Sequence, residues 1–542
     1  MSASIDAQLL QTATQYVSWE PNAKSRQAVQ SMIDSGDAKS LKDAFEPRIA
    51  FGTAGLRARM SHGYHNMCEL VILQTSQGFA RYIESVQGEE AKSKGIVLGY
   101  DGRHNSRTYA EITAGVFLSA GFKVHLFSRM CGTPFVPYGV LQLNACAGIM
   151  ITASHNPKDD NGYKVYWSNG AQIIPPHDSG IAASIEKNMK PWHLKDGDQP
   201  SAPAFDPNHP NLSDPFDSIT NKYFEDAARD YCWRRDYNRG LTQSQCPVTF
   251  TAMHGVGAPF TAKAFEVFGL PKYIPTPQQI EADPEFPTVK FPNPEEGKGA
   301  LALAMAAADA AGSSLILAND PDADRLAVAE KVDGNWKPLN GNQIALLLAD
   351  WTFTNYVQRE KPTAEQLKKW CMLSSTVSSA VLASMARVEG FNFYGTLTGF
   401  KWMGNRARQA VDAGETFLFA FEVEIGFLVG NQSYDKDGIR TAAIFYEMYA
   451  QLHQSGKSCH QHLDQLYRKY GYFNMNTSYF FCDPSSGKLA EIFKRLRNYP
   501  DTPSDAYPAT QHRYPTECGG VKITSVRDVT YGYDNSESEC KA

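Results

Sequence analysis

The sequence predicts an α/β protein made of three similar mixed-sheet domains around a central cleft, followed by a C-terminal segment with a different pattern. Short apolar runs alternate with helix-like stretches three times along the chain, which is the pattern of βαβ units. In each repeat the third apolar run ends in a loop that carries reactive side chains. Because ligands gather beyond the carboxyl ends of such strands, we expect the three loops to face one cleft.

Each repeat opens with an apolar strand, a loop of small residues and a helix-like stretch. A glycine near the end of each helix suits a left-handed C-cap, and a second strand follows it. The opening strands lie at 96–98, 248–251 and 372–373, the glycines are Gly121, Gly269 and Gly390, and the second strands lie at 124–127, 273–274 and 393–394. This order predicts parallel strands joined by helices.

Alternating patterns after the first two reactive loops predict hairpins, with turns at Asn169-Gly170 and Asp333-Gly334. Polar and Pro-rich segments predict linkers at 195–215 and 356–365, and a Pro-rich loop at 271–294 inside the second repeat. The last part differs, with an alternating segment at 475–481 and an amphipathic one at 487–496. The predicted domain limits are 1–212, 213–335, 336–460 and 461–542.

The composition and net charge of the chain limit its expected number of domains and its expected partners. The chain has 542 residues, enough for three or four domains of ordinary size. Its 42% apolar and 20% charged residues are typical of a globular protein. A net charge of −6 gives no strong attraction to nucleic acid or to an anionic membrane. We therefore expect small-molecule partners, and the predicted oligomeric state is a monomer.

Features that would indicate export or membrane insertion are not found in the sequence. Residues 1–11 lack the basic segment of a signal peptide, and no apolar run approaches the roughly 20 residues that span a bilayer. The ten cysteines are scattered without a Cys-x-x-Cys pair, which favours reduced thiols over a zinc or dithiol site. These observations predict a cytoplasmic location.

The first reactive loop is residues 152–156, with the sequence Thr-Ala-Ser-His-Asn, and Pro157 closes it. It follows the apolar run at 147–151, which reads as a buried strand. The loop places the hydroxyl of Ser154 beside His155. A turn serine that bonds only to the backbone remains an alternative from these residues alone.

The second reactive loop carries three acidic residues at alternate positions, Asp320, Asp322 and Asp324, after a buried-looking strand at 315–318. Three carboxylates this close repel one another, and a hard divalent cation that prefers oxygen ligands relieves the repulsion. An acidic surface turn is the alternative, but apolar runs flank the loop on both sides. A serine loop together with a metal loop suggests phosphoryl transfer through a phosphoserine.

These loops resemble those of the α-D-phosphohexomutase superfamily, in its eukaryotic phosphoglucomutase/phosphopentomutase branch. The resemblance runs from about residue 15 to the end of the chain. The segments that carry it are 51–57, 152–156, 320–325, 398–401, Glu422 and 435–438, with Trp19, Asn22 and Arg26 near the beginning.

The resemblance implies a role for each matching residue. The catalytic residues would be Ser154, Arg57, His155 and Lys164, and Mg²⁺ would be bound by phosphorylated Ser154, Asp320, Asp322 and Asp324. Ser154 would carry the phosphoryl group, Arg57 would bind phosphate oxygens through its forked guanidinium, and His155 and Lys164 would handle protons or stabilise charge. A packed structural histidine remains the alternative for His155.

The same resemblance implies the residues that bind substrate, which would be Arg325, Thr398, Gly399, Lys401, Glu422, Glu424 and Lys436. Glu422 would accept hydrogen bonds from two sugar hydroxyls, and the lysines would contact phosphate or assist proton transfer. Many family members have Gly-Glu-Glu-Ser at this loop, whereas this chain has Phe-Glu-Val-Glu at 421–424. Val423 cannot bind a hydroxyl, so the choice of sugar stays open.

The function implied is an intramolecular phosphotransferase that moves phosphate between C1 and C6 of glucose, or between C1 and C5 of ribose or deoxyribose. Glucose 1,6-bisphosphate would be the primer. A glucose 1,6-bisphosphate synthase of the same branch is the nearest alternative. A sugar-phosphate-binding protein without full activity is the second.

The end of the chain departs from the family pattern. The fourth domain of the family contains a phosphate-binding loop, Arg-x-Ser-Gly-Thr-Glu-Pro, and the segment at 516–520 matches it poorly. The segment at 526–534 resembles the residues just before that loop. The resemblance therefore implies an incomplete, truncated α+β fourth domain. It also implies weak or absent mutase activity of the 542-residue chain, because remote phosphate contacts support turnover as well as affinity.

Overall fold

A computed structural model describes residues 5–53, 55–195, 197–296, 299–475, 482–483, 486–497, 514–524 and 526. The chain divides into two units, residues 1–472 and 473–542, and each is described by itself. The first unit holds three α/β domains, each built on its own mixed sheet of four to six strands.

Three helices precede the first sheet: α1 (Ala7–Trp19), α2 (Ala23–Ser35) and α3 (Ala38–Phe45). Each begins beside an Asp or Asn side chain that accepts backbone N–H bonds, which is a strong N-cap. The rings of Tyr16, Phe45 and Tyr64 pack edge to face between them, with centroids 5.3 to 5.6 Å apart. The sequence analysis missed these helices, since it considered only the repeating strand–helix pattern.

The first domain contains β1 (Leu56–Arg59), α4 (Glu69–Gln87), α5 (Glu90–Lys94), β2 (Ile96–Tyr100), α6 (Ser106–Ser119), β3 (Val124–Leu126), α7 (Phe135–Gln142), β4 (Ala147–Ile151), β5 (Asp160–Trp167), α8 (His177–Lys187) and β6 (Leu212–Ser213). The strand order is β1-β5-β4-β2-β3-β6. β2 is parallel to β3 and β4, while β5 is antiparallel to β1 and β4.

The second domain contains α9 (Phe216–Tyr231), α10 (Arg235–Arg239), β7 (Val248–Thr251), α11 (Gly257–Phe268), β8 (Ile274–Pro275), a 3₁₀ turn (Pro294–Glu296), α12 (Ala302–Ala311), β9 (Leu315–Ala318), β10 (Ala327–Val332) and β11 (Asn335–Leu339). The third contains α13 (Gly341–Glu360), α14 (Ala364–Leu367), β12 (Trp370–Ser375), α15 (Val381–Glu389), β13 (Asn392–Thr396), α16 (Phe400–Asp412), β14 (Thr416–Glu422), β15 (Gly426–Val429), α17 (Gly438–Gln454) and α18 (Cys459–Tyr470).

The three sheets share one strand order. In each, the third strand of the repeat lies between the first strand and an antiparallel strand, giving β5-β4-β2-β3, β10-β9-β7-β8 and β15-β14-β12-β13. Every residue of β4 and β9 is buried, as expected for central strands covered on both faces. The prediction of three similar domains is confirmed, and each reactive loop follows the third strand.

Several local predictions can be compared with the structure. The hairpin β10–β11 turns at Asp333 and Gly334, whose φ angles of 50° and 76° fit a type I′ turn. The predicted linker at 356–365 is wrong, because α13 continues to Glu360 and packs against β14. All three predicted domain limits fall inside elements: 212/213 divides β6, 335/336 divides β11, and 460/461 divides α18, which packs on α13.

The second unit has one helix and one hairpin among its described residues. Helix α19 (Lys488–Arg497) confirms the predicted amphipathic segment. Strands β16 (Glu517–Cys518) and β17 (Val521–Lys522) pair through a turn of two glycines with positive φ. The predicted strand at 475–481 and the segment 526–534 lie almost wholly outside the described residues, so the fourth domain stays a prediction.

Within the described ranges, no helix combines the length and apolar character needed to cross a membrane. Nine cysteines lie in those ranges, and all nine are free thiols: Cys68, Cys131, Cys146, Cys232, Cys246, Cys371, Cys459, Cys482 and Cys518.

Candidate active site

The hydroxyl of Ser154 lies against the acidic loop of the second domain. Ser154 follows β4 with a φ of 52°, and its backbone N–H donates to Thr152 Oγ1 at 2.8 Å. The side chain is almost fully buried, and its Oγ donates to Asp320 Oδ2 at 3.0 Å. The left-handed backbone is uncommon for a serine and turns the hydroxyl toward the neighbouring domain.

Arg103 fixes the serine loop, residues 152–156, through hydrogen bonds to its backbone. The sequence analysis did not single out this residue. Its guanidinium donates to the backbone carbonyl of Ser154, to that of Asn156 at 2.7 Å and to that of Pro157 at 2.8 Å. The carboxylate of Asp101 lies 3.3 Å from its Nε. Arg103 follows β2, whose carboxyl end adjoins that of β4, and this adjacency was the available signal.

Arg103→Lys is expected to lower kcat by about tenfold or more. It is also expected to lower the free energy of unfolding by about 2–4 kcal/mol, because a single lysine ammonium cannot donate to all the carbonyls that the planar guanidinium reaches. Turnover and chemical denaturation measure the two effects. Arg107→Lys is the control, since Arg107 pairs only with Glu111 on the exposed face of α6. Equal turnover of the Arg103 variant and the control would contradict this role.

The acidic loop follows β9 and is completely buried. One oxygen from each of Asp320, Asp322 and Asp324 lies within 4.8 Å of the others, and each side chain is 0% exposed. Asp322 Oδ1 and Asp324 Oδ1 are buried without a hydrogen-bond partner. Buried carboxylate oxygens are rarely left without partners, so this set fits a cation with oxygen ligands.

Neighbouring loops fix the acidic loop in place. Thr133 of the first domain donates its Oγ1 to Asp322 Oδ2 at 2.6 Å and its backbone N–H to the Asp322 carbonyl at 2.8 Å. A Cβ added to Gly255 would lie 2.3 Å from Pro321 Cα, so the loop after β7 needs glycine there. The acidic loop is therefore held by two domains.

Lys164 of β5 forms ion pairs with two of the three acids. Its Nζ lies 2.7 Å from Asp322 Oδ2 and 2.9 Å from Asp324 Oδ2, and the side chain is 7% exposed. Burial alone would favour the neutral amine, but the two carboxylates outweigh it and raise the pKa of Lys164. Lys164 is thus a fixed positive charge and not a base.

The pKa values of the three acids shift in different directions. Burial and repulsion from Asp322 and Asp324 raise the pKa of Asp320 well above its usual value. Burial acts in the same direction on Asp322, but the ammonium of Lys164 and the hydroxyl of Thr133 outweigh it and lower the pKa. For Asp324, burial and repulsion from Asp322 are outweighed by the charges of Lys164, Lys436 and Arg325, which lower its pKa. Asp320, which touches Ser154, is the acid most in need of a further positive charge.

Three further predicted residues lie around Ser154. Arg325 donates its backbone N–H to Asp320 Oδ1 at 3.1 Å and its Nη1 to the Glu424 carbonyl at 3.0 Å. Arg57 is exposed and donates to Asn156 Oδ1 at 3.2 Å. Burial, with the charges of Arg325 and Arg57, lowers the pKa of His155 to about 3, so its ring is neutral at physiological pH.

The loop after β14 brings a buried acid to the same region. Glu422 is 7% exposed, and burial raises its pKa to about 7 despite the opposing charges of Lys436 and Arg325. Lys436 lies 3.3 Å from Asp324 Oδ2, which links the third domain to the acidic loop. Glu424 Oε2 is buried without a partner, so this loop offers acceptor oxygens to a polyhydroxyl ligand.

Glu422→Gln is expected to remove a pH-dependent loss of stability. Because the folded state holds the proton of Glu422 more tightly than the unfolded state, stability falls as pH rises from the ordinary carboxyl pKa through about 7. Relative to the parent chain, the free energy of unfolding of the variant rises by about 2–3 kcal/mol over that pH range. Denaturant titrations at several pH values without metal measure this. The same change at exposed Glu225 is the control, and an unchanged pH profile would refute the prediction.

The remaining predicted residues lie around α16. Gly399 precedes the helix with a φ of 102°, and Thr398 beside it is exposed. Lys401 donates to Thr53 Oγ1 of the opening loop at 51–57. No direct contact links Thr398, Gly399 or Lys401 to Ser154 or to the acidic loop among the described residues. The other predicted residues meet around the two reactive loops.

The fold and the site together define a phosphoryl-transferring enzyme of the multidomain α/β class. The buried hydroxyl of Ser154 touches a carboxylate cage formed by Asp320, Asp322 and Asp324, and positively charged side chains surround both, an arrangement that suits transfer of a phosphoryl group. Models of the phosphoglucomutase/phosphomannomutase α/β/α domains I, II and III match residues 48–192, 221–334 and 340–470. The chain belongs to the phosphoglucomutase/phosphomannomutase family.

Individual proteins of this family are similar to the chain over most of its length. The chain is 46% identical to human phosphopentomutase, covering 99% of this chain and 86% of the relative. It is 41% identical to human glucose 1,6-bisphosphate synthase, covering 99% and 84%. Parafusin, a phosphoglucomutase from Paramecium, has the same fold with a TM-score of 0.58 at 18% identity over 78% of this chain and 74% of its own. The predicted resemblance is confirmed, and the chain is a phosphosugar mutase, an intramolecular phosphotransferase.

Proposed function

We propose that the chain moves a phosphoryl group between C1 and C5 of ribose or deoxyribose, and more slowly between C1 and C6 of glucose, through phosphorylated Ser154. The observation that carries this is the 3.0 Å contact between Ser154 Oγ and Asp320 Oδ2 inside a cage with two unpartnered carboxylate oxygens. The pentose preference follows the higher identity to phosphopentomutase than to the glucose 1,6-bisphosphate synthase.

Mg²⁺ is the metal that suits this cage. Asp320, Asp322 and Asp324 would hold it together with an oxygen of phosphorylated Ser154. A hard cation with carboxylate and phosphate ligands fits these groups, and it would supply charge neutralisation at the transferring phosphoryl group. The buried oxygens Asp322 Oδ1 and Asp324 Oδ1, which have no hydrogen-bond partner, favour such an ion.

The residues of the chain then act in a defined order. A sugar bisphosphate such as glucose 1,6-bisphosphate phosphorylates Ser154 first. In each turnover the bond from phosphorus to Ser154 Oγ breaks as one forms to a sugar hydroxyl oxygen, and the proton of that hydroxyl ends on Ser154 Oγ. His155, whose Nδ1 lies 3.4 Å from Ser154 Oγ, is uncharged and would relay this proton. After the bisphosphate reorients, the bond from its other phosphorus to the sugar oxygen breaks as one forms to Ser154 Oγ, and the serine proton passes to the released sugar oxygen.

Positively charged side chains stabilise the negative charge of the phosphate and carboxylate groups during these steps. Arg57 and Arg325 bind phosphate oxygens of the substrate, and Lys164 stays protonated beside the carboxylates. Glu422 and Glu424 accept hydrogen bonds from sugar hydroxyls, while Lys436 offsets the charge near them. Three residues around α16 bind the sugar or its far phosphate: Thr398, Gly399 and Lys401. We also infer a monomer, and a cytoplasmic location in keeping with the free thiols.

The proposal is tested by incubating the purified chain with Mg²⁺ and a sugar bisphosphate and measuring its intact mass. A gain of about 80 Da that maps to Ser154 is expected. Coupled assays then compare ribose 1-phosphate with glucose 1-phosphate, and the pentose is expected to have the higher kcat/KM. No modification of Ser154 and no turnover of either sugar would overturn the proposal.

Glucose 1,6-bisphosphate synthase activity is the second candidate, and the 41% identity over 99% of the chain favours it. The two activities differ in the phosphoryl donor. A synthase consumes a separate high-energy phosphoryl donor and accumulates bisphosphate, whereas a mutase needs only a catalytic amount of bisphosphate. Net accumulation of bisphosphate from glucose 1-phosphate and such a donor, exceeding mutase turnover, would favour the synthase.

A further inference from the structure

A short segment of the second domain reaches across to the serine loop of the first. It is residues 282–288, called here the clasp segment, and it lies in the Pro-rich loop between β8 and the 3₁₀ turn. Its base is fixed to its own domain: Thr288 Oγ1 bonds to His254 Nε2 at 2.8 Å and accepts from Gln279 Nε2 at 2.9 Å. The N–H of Asp283 donates to the His254 carbonyl at 3.0 Å.

The first contact of the clasp segment is with Arg103. The Cζ atom of Arg103 lies over the ring of Phe286, 5.0 Å from the centroid of the ring, and Phe286 is 4% exposed. A cation over an aromatic face is attracted to it, more strongly where water is excluded. The same guanidinium donates to the carbonyls of Ser154, Asn156 and Pro157, so Phe286 reaches the serine loop through one intervening group.

The second contact joins one carboxylate to two loops of the first domain. Glu285 Oε1 lies 2.6 Å from His104 Nε2, and Glu285 Oε2 lies 2.6 Å from Lys158 Nζ. His104 is next to Arg103, and Lys158 lies just beyond the serine loop. All three side chains are about half exposed, so each pair is weak by itself, but together they fix the clasp segment at two points.

The backbone at Phe286 supports a positional role. Phe286 has a φ of 44°, in the left-handed region that aromatic residues rarely adopt. A backbone strained in this way persists only when its surroundings hold it. Here hydrogen bonds at its base and the contact with Arg103 do so.

We propose that the clasp segment of the second domain positions Ser154 for phosphoryl transfer, acting through Arg103 and Lys158. Phe286 and Glu285 are positioning residues, since neither touches the reacting atoms. The serine and its metal cage lie on different domains, so their alignment depends on how the two domains are held. The clasp segment is one such connection, and this inference rests on the proposed role of Ser154.

The main test is Phe286→Ala in the full chain with Mg²⁺ and a bisphosphate primer. We expect kcat to fall about tenfold while KM for the sugar monophosphate stays within about threefold, because orientation and not substrate binding is impaired. The rate of Ser154 phosphorylation by the bisphosphate should fall in parallel. Phe291→Ala, in the same Pro-rich loop but 52% exposed, is the matched control and should keep the parental values.

Two milder variants keep the proposal falsifiable if Phe286→Ala unfolds. Phe286→Leu keeps apolar bulk without a ring face, and we expect about a threefold loss of kcat. Glu285→Gln and Lys158→Gln should each lower kcat about two- to fourfold, and the double variant should lose no more than either single one, because both act through one contact. Glu281→Gln, at an exposed acid of the same loop, is the control.

The outcomes separate this inference from the proposed function. If the parent chain is phosphorylated on Ser154 but folded Phe286→Leu and Glu285→Gln variants keep kcat within about 1.5-fold, the clasp role is wrong and the proposed function stands. A rise in KM with kcat unchanged also overturns the clasp role, because it indicates substrate binding. If the parent chain is not phosphorylated on Ser154, both proposals fail.

Discussion

Ser154→Ala is expected to abolish phosphorylation of the chain and to lower mutase turnover by about 10³-fold or more, into the background of the assay. Among the described residues, Ser154 is the one whose hydroxyl donates a hydrogen bond to Asp320, so no other hydroxyl is placed to replace the carrier. Binding of sugar phosphate should persist, because the charged groups around the loop remain. Intact mass after incubation with a sugar bisphosphate and a coupled turnover assay measure the two effects.

The stability of the Ser154 variant separates loss of chemistry from loss of fold. Removing the hydroxyl deletes one buried hydrogen bond, at a cost of about 1 kcal/mol. The control is Ser119→Ala at the exposed end of α6, where the hydroxyl only caps a helix carbonyl. Full turnover by Ser154→Ala, or phosphorylation at another residue with turnover retained, would disprove the role of Ser154.

Asp322→Asn is expected to have an effect of similar size on turnover, about 10³-fold, together with much weaker dependence on added Mg²⁺. The amide keeps the shape of the side chain but removes one of the three charges of the cage. It also replaces the ion pair with Lys164 by a weaker hydrogen bond to a neutral amide oxygen. Metal titrations of activity and of tryptophan fluorescence would report the lost site.

Stability without metal distinguishes the acids of the cage. Asp322 has a lowered pKa, so its ionised form stabilises the fold, and Asp322→Asn should lower the free energy of unfolding at neutral pH. Asp320 has a raised pKa, so its charge is costly, and Asp320→Asn should leave stability unchanged or increase it while still removing activity.

Denaturation in a metal chelator at neutral pH tests this difference. Asp333→Asn is the matched control, because Asp333 lies in an exposed type I′ turn that accepts asparagine equally well. Stability changes of the same sign in the Asp320 and Asp322 variants would contradict the assignment of charge within the cage. Normal turnover by either variant would contradict the metal site itself.

Local patterns predicted the central strands of the fold well. Strands β4 and β9 have the bounds read from their apolar runs at 147–151 and 315–318, because strands buried on both faces leave an uninterrupted apolar signal. The turn at Asp333 and Gly334 followed from the need for positive φ. Such features depend on neighbours in sequence, so the sequence shows them directly.

Features that depend on distant neighbours were harder to predict. Helix α13 extends to Glu360, into the predicted linker at 356–365, because it packs on β14 and α18. Arg103 is not part of a motif that the sequence analysis recognised. Its role depends on hydrogen bonds to backbone carbonyls more than fifty positions away in the chain. Phe286 sits in a Pro-rich loop that reads as irregular, and only its place under Arg103 gives it a role.

By itself the sequence determined the class of the fold, the order of the strands in the three repeats and the residues of the two reactive loops, because apolar periodicity and the chemistry of a hydroxyl or three carboxylates are local properties. Only the tertiary structure decided that Lys164 is paired with two acids, that the pKa values of Asp320 and Asp322 shift in opposite directions, and that the second domain reaches the serine loop. Those properties arise from burial and from contacts between domains, where removal of water makes each charge depend on partners far away in the chain.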